Sequence, residues 1–323
     1  MTPAGSAPVA IASCMRNEGI HILEWLAYHR VIGFGPIVVC SNDCTDGSDL
    51  LLDRLAEAGA LDHLPNPGTE VMPQARGILR AMEHLRPGAA EWLAHLDSDE
   101  FLNIAPGAAP VAPLVARAGE AHAIALPWRS FGDNGHATWP GETLRAFTAC
   151  EAEVEEETVK FKSLFRFRCF KNASEHMPTA PRIAAPIAVN AAGEPLASDQ
   201  LLGPPRARYR PVATAMRGGA TVNHYAIRST DVFLLKNDRG WGAGRPSDKY
   251  QLGSNWHRRA NRNEGQDHSI LRRWPEVEVE LARLRTLPGV AEAEAGCVAW
   301  FEARRQAILT PQTIRRWTKG ARA

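Results

Sequence analysis

The sequence predicts an α/β fold: a mainly parallel sheet flanked by helices, followed by a helical C-terminal extension. Two observations carry this expectation. Over the first hundred residues, short apolar runs alternate with segments whose apolar residues recur at helical spacing. The polar stretches "RNEG" (Arg16 to Gly19), "SNDCTDGSD" (Ser41 to Asp49) and "DSDE" (Asp97 to Glu100) each begin where an apolar run ends. In parallel sheets ligands bind beyond the carboxyl ends of the strands. Three polar clusters at one such edge therefore predict a single site.

The elements follow in order. Val9 to Ser13 ("VAIAS") reads as a first buried strand. Ile22, Leu23, Leu26, Ala27 and Val31 recur as in a helix, which Gly33 and Gly35 stop. Pro36 to Cys40 is a second strand. Leu51, Leu52, Leu55 and Ala56 mark a helix ending at Gly59, and Leu61 to Leu64 is a third, short strand. Ala75, Ile78, Leu79, Met82 and Leu85 mark another helix, and Trp92 to Leu96 is the strand that runs into the acidic cluster. Ala105 to Pro113 is rich in Ala and Pro and reads as a loop, and Ala121 to Pro127 as a further strand. From Lys160 to Phe170 the pattern alternates: Lys160, Lys162, Arg166 and Arg168 on one face, Phe161, Phe165 and Phe167 on the other. This predicts a half-buried strand with a basic face. Ala180 to Pro211 reads as a long loop. From Ser269 on the chain is mostly helical and ends basic.

Composition excludes some classes. With 323 residues, 45% hydrophobic and 23% charged, the chain suits one large α/β domain with additions, or two domains. The division expected is 1–240 for the main domain, its ligand-binding half at 9–104 and an acceptor half at 105–240, with the extension at 241–323. A formal net charge of +1 gives no electrostatic case for nucleic acid as a partner. The six cysteines contain no C-x-x-C pair and read as reduced thiols. No apolar run reaches the ~18 residues of a spanning helix, and the N-terminus lacks the form of a signal peptide. A soluble, cytoplasmic protein is expected, with peripheral work at the inner face of a membrane still open.

The clusters then suggest chemistry. Asp97 and Asp99, two residues apart at a strand end, can reach a common ion. Oxygen ligands suit hard cations such as Mg²⁺ and Mn²⁺, which would neutralise a diphosphate leaving group. The plain alternative is an acidic turn. Asn42, Asp43 and Asp46 can hydrogen-bond a base or ribose; equally, they can form a turn with Asp46 or Ser48 capping the next helix. Arg16 and Asn17 either touch the ligand or, for Asn17, cap the helix that follows. His224 in "NHYAIRS" is a third metal ligand, a phosphate contact or a structural histidine. The basic face at 160–168, with His176 nearby, either binds phosphate or is solvated.

Taken together, "RNEG" and "HILEWLAYHRVIGF", then "VVCSNDCTDGSDLLLDRL", then "HLDSDEFL", resemble the family 2-type glycosyltransferases of GT-A fold, whose sheet is Rossmann-like. More narrowly the chain is similar to the bacterial branch related to family 92 glycosyltransferases, where E-W-x-x-Y-H and a later H-Y-x-x-R-S also occur. The likeness is strong over about 9–104, patchy through 121–240 and thin beyond. It implies a nucleotide-sugar donor, a divalent metal (Mn²⁺ or Mg²⁺) and a carbohydrate or glycolipid acceptor, with polysaccharide assembly as the analogous setting. The donor would be UDP-linked, and transfer would invert configuration. Asp97 and Asp99 would be the D-x-D pair, with Asp99 the direct ligand and His224 completing the metal site. Arg16, Asn17, Asn42, Asp43, Asp46, Asp97, Lys162 and His176 would bind the nucleotide sugar. The chain departs from the family where two adjacent aspartates often end the second strand; Ser41 and Asn42 stand there instead. Asp133 in "FGDNG", after a strand, is the candidate catalytic base or a turn residue. Two other classes stay open: a non-catalytic module binding a nucleotide sugar or glycan, and a metal-dependent phosphotransferase. The second would need a D-x-D-x-T, but Phe101 stands where its threonine belongs.

Overall fold

The computed structural model describes residues 8–68, 72–86, 88–154, 159–197, 218–239 and 248–320. Its first half follows the expected alternation: β1 (Val9–Met15), α1 (Ile22–Val31), β2 (Ile37–Ser41), α2 (Ser48–Glu57), β3 (Asp62–Pro65), α3 (Pro73–His84) and β4 (Trp92–His95). β5 (Glu100–Ile104), α4 (Val111–Arg117), β6 (Ala123–Ser130), β7 (Ala149–Cys150) and β8 (Phe161–Arg166) continue the chain. β4, β1, β2 and β3 lie side by side in that order, all parallel. β8 then pairs antiparallel with both β4 and β6. Every residue of β2, β4 and β5 is buried; for β2 and β4, which lie in the parallel part of the sheet, this is why their sequences read as near-continuous apolar runs without alternation. The fold is thus mixed α/β, with a large central sheet flanked by helices.

The strand Ala220–His224 positions the site. It lies between β5, to which it runs antiparallel, and β6, to which it runs parallel. Its register sets His224 opposite Glu100 and beside Ser130. That pairing brings a histidine more than a hundred residues distant to the acidic turn between β4 and β5.

Helix α1 anchors the same turn from the other side. Trp25 and Tyr28 are three residues apart on one helix face. The Trp25 indole N–H donates to the Glu100 carbonyl at 3.2 Å, and the Tyr28 hydroxyl to the Leu102 carbonyl at 2.6 Å. His29 stacks on Phe101 with ring centroids 5.6 Å apart. Glu24 accepts from the N–H groups of Thr143 and Leu144 at 2.6 and 2.8 Å. The E-W-x-x-Y-H motif is therefore scaffold: it holds β5, and β5 carries the acidic turn.

The buried His29 makes a pH prediction. Burial pushes its pKa from 6.5 down to about 3, partly offset by its bond to the Trp25 carbonyl. The unfolded chain takes up a proton below pH 6.5, while the folded one stays neutral until about 3. Stability from this group is full above 6.5 and is lost as pH falls, at about 1.4 kcal/mol per unit. His29→Phe should flatten the stability–pH slope between pH 6.5 and 5 by that amount in urea denaturation. An unchanged slope would refute the assignment.

Several expectations need correction. The loop expected over 105–113 ends early, because α4 starts at Val111. Pro113 is tolerated in its first turn, where backbone N–H groups have no helical partner. The strand expected over 160–170 breaks at Arg166 into a 3₁₀ turn, Phe167–Cys169. Its basic face is not solvated at the centre, since Lys162 is 0% exposed. Within the loop expected from Ala180, Ala188–Val189 and Pro195–Leu196 form a short antiparallel pair, the first also adding to β6; residues 198–211 lie outside the described residues. The expected C-terminal helices occur at Trp274–Arg285, Val290–Ile308 and Pro311–Arg316. Val277, Leu281, Leu284, Val290 and Cys297 share one apolar core with α1 and α2. The extension therefore covers a face of the main body. A side-chain carbon added at Gly19 would stand 2.4 Å from Cys297 Sγ, so this contact needs glycine. Among the described residues no helix is long and apolar enough to cross a membrane.

Candidate functional site

A cavity of about 480 Å³ opens where β1, β2 and β4 end. Arg16, Asn42, Asp97, Asp99, His176 and His224 line it, as do Trp128, Glu175, Lys236 and Arg239. The three polar clusters thus converge on one edge of the sheet, as a parallel arrangement requires.

Asp99 is the centre of the charged wall. Its Oδ2 accepts from the Lys236 ammonium at 2.9 Å, and its Oδ1 stands 3.7 Å from His224 Nε2. Burial alone would push its carboxyl up. Lys236, His224 and Arg228 outweigh burial and hold it well below the usual carboxylate range. Burial drives His224 down to about 4, with Asp99 opposing and Lys236 assisting. At neutral pH the imidazole is uncharged, so its approach to Asp99 is no ion pair. An anionic oxygen and a neutral imidazole nitrogen facing one space form a donor pair for a transition metal.

Asp97 is held differently. Its Oδ1 accepts from Gln74 at 2.6 Å and its Oδ2 from Lys162 at 3.1 Å. Lys162 also reaches Glu100 at 2.8 Å. Burial pushes the Glu100 carboxyl up, Lys162 pulls it back, and Asp97 and Asp99 push it up again, to about 8. Of the carboxylates around this lysine, Glu100 is the one that keeps a proton. Asp97, whose side chain is 30% exposed, carries the charge. Among the described residues, no cluster of three His, Cys, Asp or Glu side chains is arranged for a metal. The structure brings Asp99 and His224 together and turns Asp97 toward Lys162.

The remaining expected residues divide. The Asn42 amide lines the cavity and donates to the carbonyls of Asn66 and Gly68 at 2.9 and 3.1 Å. Arg16 lines it with a buried Nε that has no hydrogen-bond partner among the described residues. His176 lines it as a neutral imidazole bonded to the Phe161 carbonyl at 2.7 Å, its pKa lowered to about 3 chiefly by burial.

Five residues are not part of the cavity wall. The Asn17 side chain clasps Thr45 through bonds of 2.8 and 3.0 Å. Asp43 accepts from the Gly68 N–H at 3.0 Å. Asp46 accepts from the N–H groups of Gly19 and Ser48, each at 2.9 Å. Lys162 sits behind Asp97 and positions it. Asp133 accepts from Asn261 Nδ2 and the Gly135 N–H, each at 2.9 Å, and from Asn263 at 3.3 Å. Both of its oxygens are engaged in holding a turn together, the alternative its sequence context also allowed.

Sequence reasoning missed Lys236, Gln74, Glu175, Trp128, Trp256 and Arg239. Trp128 stands near the end of β6, and the strand-end rule could have found it. Lys236 sits inside the helix Thr230–Arg239 with no signal in its neighbours. Arg239 pairs with the buried Glu18 and donates to the Arg16 carbonyl at 3.2 Å, tying that helix to the end of β1.

No family model matches the chain. Over 154 residues, 46% of its length, it is 24% identical to a glycosyltransferase family 92 protein of Ricinus communis. The match spans 27% of that relative. Among solved structures it is similar to S. aureus TarS residues 1–349, with a TM-score of 0.38, 16% identity and coverage of 93% of this chain and 92% of that one. The same TarS fragment in complex with UDP-GlcNAc gives a TM-score of 0.37 at 16% identity over the same shares of both chains. The chain thus shares sequence, over just under half its length, with a glycosyltransferase.

Proposed function

We propose that this chain is a GT-A-type glycosyltransferase that moves a sugar, with inversion, from a UDP-linked donor to a carbohydrate or glycolipid acceptor. The observation carrying this reading is the Asp99–His224 pair on the wall of a cavity at the carboxyl ends of parallel strands. The relative's family agrees with it, and the uridine choice rests on the resemblance of residues 9–104. Asp99 and neutral His224 would hold a divalent cation, Mn²⁺ or Mg²⁺, whose charge would favour departure of the diphosphate. Lys236, Arg239 and Arg16 supply further positive charge on the same wall. Asp97, fixed by Gln74 and Lys162, is left for hydroxyls of the donor.

With Asp133 engaged in its turn, we assign the base to Glu175, a carboxylate lining the same cavity. It would take the proton of the acceptor hydroxyl as that oxygen attacks the anomeric carbon. The bond from that carbon to the diphosphate oxygen breaks on the opposite face, and a nucleoside diphosphate departs. Glu175→Gln should then slow transfer about a hundredfold with donor KM unchanged. Asp133→Ala should leave kcat per folded molecule within about twofold and lower stability by about 1–3 kcal/mol. The reverse pattern would return the base to Asp133.

The founding test is a thermal-shift screen of UDP, GDP and ADP with and without Mn²⁺. A shift that needs both UDP and Mn²⁺ is expected, and a purine preference or indifference to metal would overturn the reading. His224→Ala should weaken Mn²⁺-dependent UDP binding about tenfold and Mg²⁺-dependent binding less, because nitrogen ligands favour the transition metal. Unchanged Mn²⁺ affinity in the folded variant would end the ligand assignment.

A further inference from the structure

Two segments beside the cavity carry charge of one sign. Residues 252–260 and 309–320 hold Arg258, Arg259, Arg315, Arg316 and Lys319 and no carboxylate. The chain as a whole balances 37 basic residues against 36 acidic ones, so this is segregation of charge rather than a general excess. The two segments form one lobe. The Leu252 N–H donates to the Trp317 carbonyl and the Lys319 N–H to the Leu252 carbonyl, each at 2.8 Å. Leu252, Trp256, Leu309, Ile314 and Trp317 pack against one small core that includes Phe233 and Tyr250. Arg258 donates to the Gly253 carbonyl, and a carbon added at Gly253 would stand 3.9 Å from Lys319 Cβ. Arg258 and Lys319 therefore flank one point of the surface. All five basic side chains are exposed, with Trp256 and Trp317 half-buried beside them.

Carboxylates around the lobe are matched elsewhere. Asp238 pairs with Arg304, Asp231 with Arg305 and Glu264 with Arg262. Asp133, which acts on His257, and Asp248, just before the first segment, are too few to neutralise five cations.

We infer that this lobe is a docking surface for an anionic phospholipid membrane. Exposed Lys and Arg are drawn to acidic headgroups, each worth roughly fivefold in affinity. Tryptophans with one apolar side and one polar edge suit the depth of those headgroups. A nucleic-acid strand would use the same cations but would stack its bases on open rings. Here Lys160 and Lys249 stand over Trp256 at 5.4 and 4.4 Å from the ring centroid, and Arg316 over Trp317 at 5.6 Å. Trp256 belongs to the lobe and also lines the cavity, so docking would bring the cavity to the membrane surface. The acceptor would then be a glycolipid presented there. That last step rests on the glycosyl-transfer reading; the docking does not.

The test is co-sedimentation of the full chain with vesicles, without donor or metal, so that its outcome is separate from that of the UDP and Mn²⁺ screen. Vesicles of phosphatidylcholine alone are compared with vesicles of phosphatidylcholine and phosphatidylglycerol in equal parts. The anionic vesicles should bind at least about tenfold more tightly, and the difference should vanish as salt rises from about 0.1 M to about 1 M. Arg259→Gln, Arg315→Gln, Arg316→Gln and Lys319→Gln combined should weaken that binding by at least about thirtyfold. The pair Arg315→Gln with Arg316→Gln should weaken it by about tenfold. These two lie on the helix Pro311–Arg316, which buries no side chain, so the pair should keep the wild-type melting temperature and decides the matter if the fourfold variant does not. Equal binding to both vesicles would overturn the inference, as would wild-type affinity in the folded pair. An RNA homopolymer bound as tightly as the anionic vesicles would give the lobe to nucleic acid instead. If the vesicles bind as expected but UDP gives no shift, the docking surface stands and the glycolipid step falls.

Discussion

Asp99→Asn is expected to lower sugar transfer roughly a thousandfold or more per folded molecule, the equivalent of about 4 kcal/mol of lost transition-state stabilisation. The substitution keeps the size of the side chain and removes only its charge. That charge is present throughout the physiological range, since neighbouring cations, Lys236 foremost, outweigh the effect of burial on the carboxyl. A rival role needs separating. Asp99 is also the counter-ion of Lys236, a side chain only 7% exposed, so the single variant should lose stability as well. The double variant Asp99→Asn with Lys236→Met removes both charges. If Asp99 merely neutralises Lys236, the double variant recovers melting temperature and UDP affinity together. If Asp99 serves the donor, it recovers melting temperature alone. Recovery of UDP affinity to the wild-type level would remove Asp99 from the site.

How much of this was legible in the sequence depended on which physical signal each residue carried. β1, β2 and β4 were legible because buried parallel strands leave unbroken apolar runs, α1 because its apolar residues recur at helical spacing, and α2 because one helix face is apolar. The convergence of the polar clusters followed from topology alone. The role of each polar residue did not, because the chemistry that suits a ligand also suits a turn. Asn17 and Asp43 have φ of 52° and 44°, a left-handed backbone that Asn and Asp tolerate better than most residues. Their presence at strand ends is explained by the turn, whatever the ligand does. Asp46 and Asp133 likewise spend their oxygens on nearby backbone and amide groups. His224 was legible only as one member of a motif; its place opposite Glu100 is set by a strand pairing that no local pattern encodes. Lys236, Glu175 and the Lys160–Trp256–Lys249 group depend on contacts between segments far apart in the chain. The alternation at 160–168 marked a strand correctly and its solvent face wrongly. Alternation tells which residues share a face; it does not tell whether that face meets water or two carboxyl groups.

That buried lysine carries the largest stability effect expected here. Lys162→Met should destabilise the protein by about 3 kcal/mol, toward the lower end of what breaking a buried ion pair costs. The lysine side chain is 1% exposed between Asp97 at 3.1 Å and Glu100 at 2.8 Å, and burial alone would lower its pKa. The two carboxyl groups more than offset that and keep it charged. Methionine fills the space and leaves the carboxyl groups without a cation. Two features limit the damage: Glu100 already tends to hold a proton, and Asp97 is partly open to water. The charge left exposed to cost is therefore that of Asp97, and this decides the second variant. Adding Asp97→Asn to Lys162→Met should restore about half of the loss, a coupling of 1–2 kcal/mol within the range for residues in direct contact. Adding Glu100→Gln should restore less, because a neutral acid is replaced by a neutral amide. Urea denaturation at pH 7 of the single variant and both doubles gives the comparison. If Lys162→Met lies within about 1 kcal/mol of wild type, the lysine is not the neutralising centre of this turn. If Glu100→Gln rescues more than Asp97→Asn, the proton sits on Asp97 and the charge on Glu100.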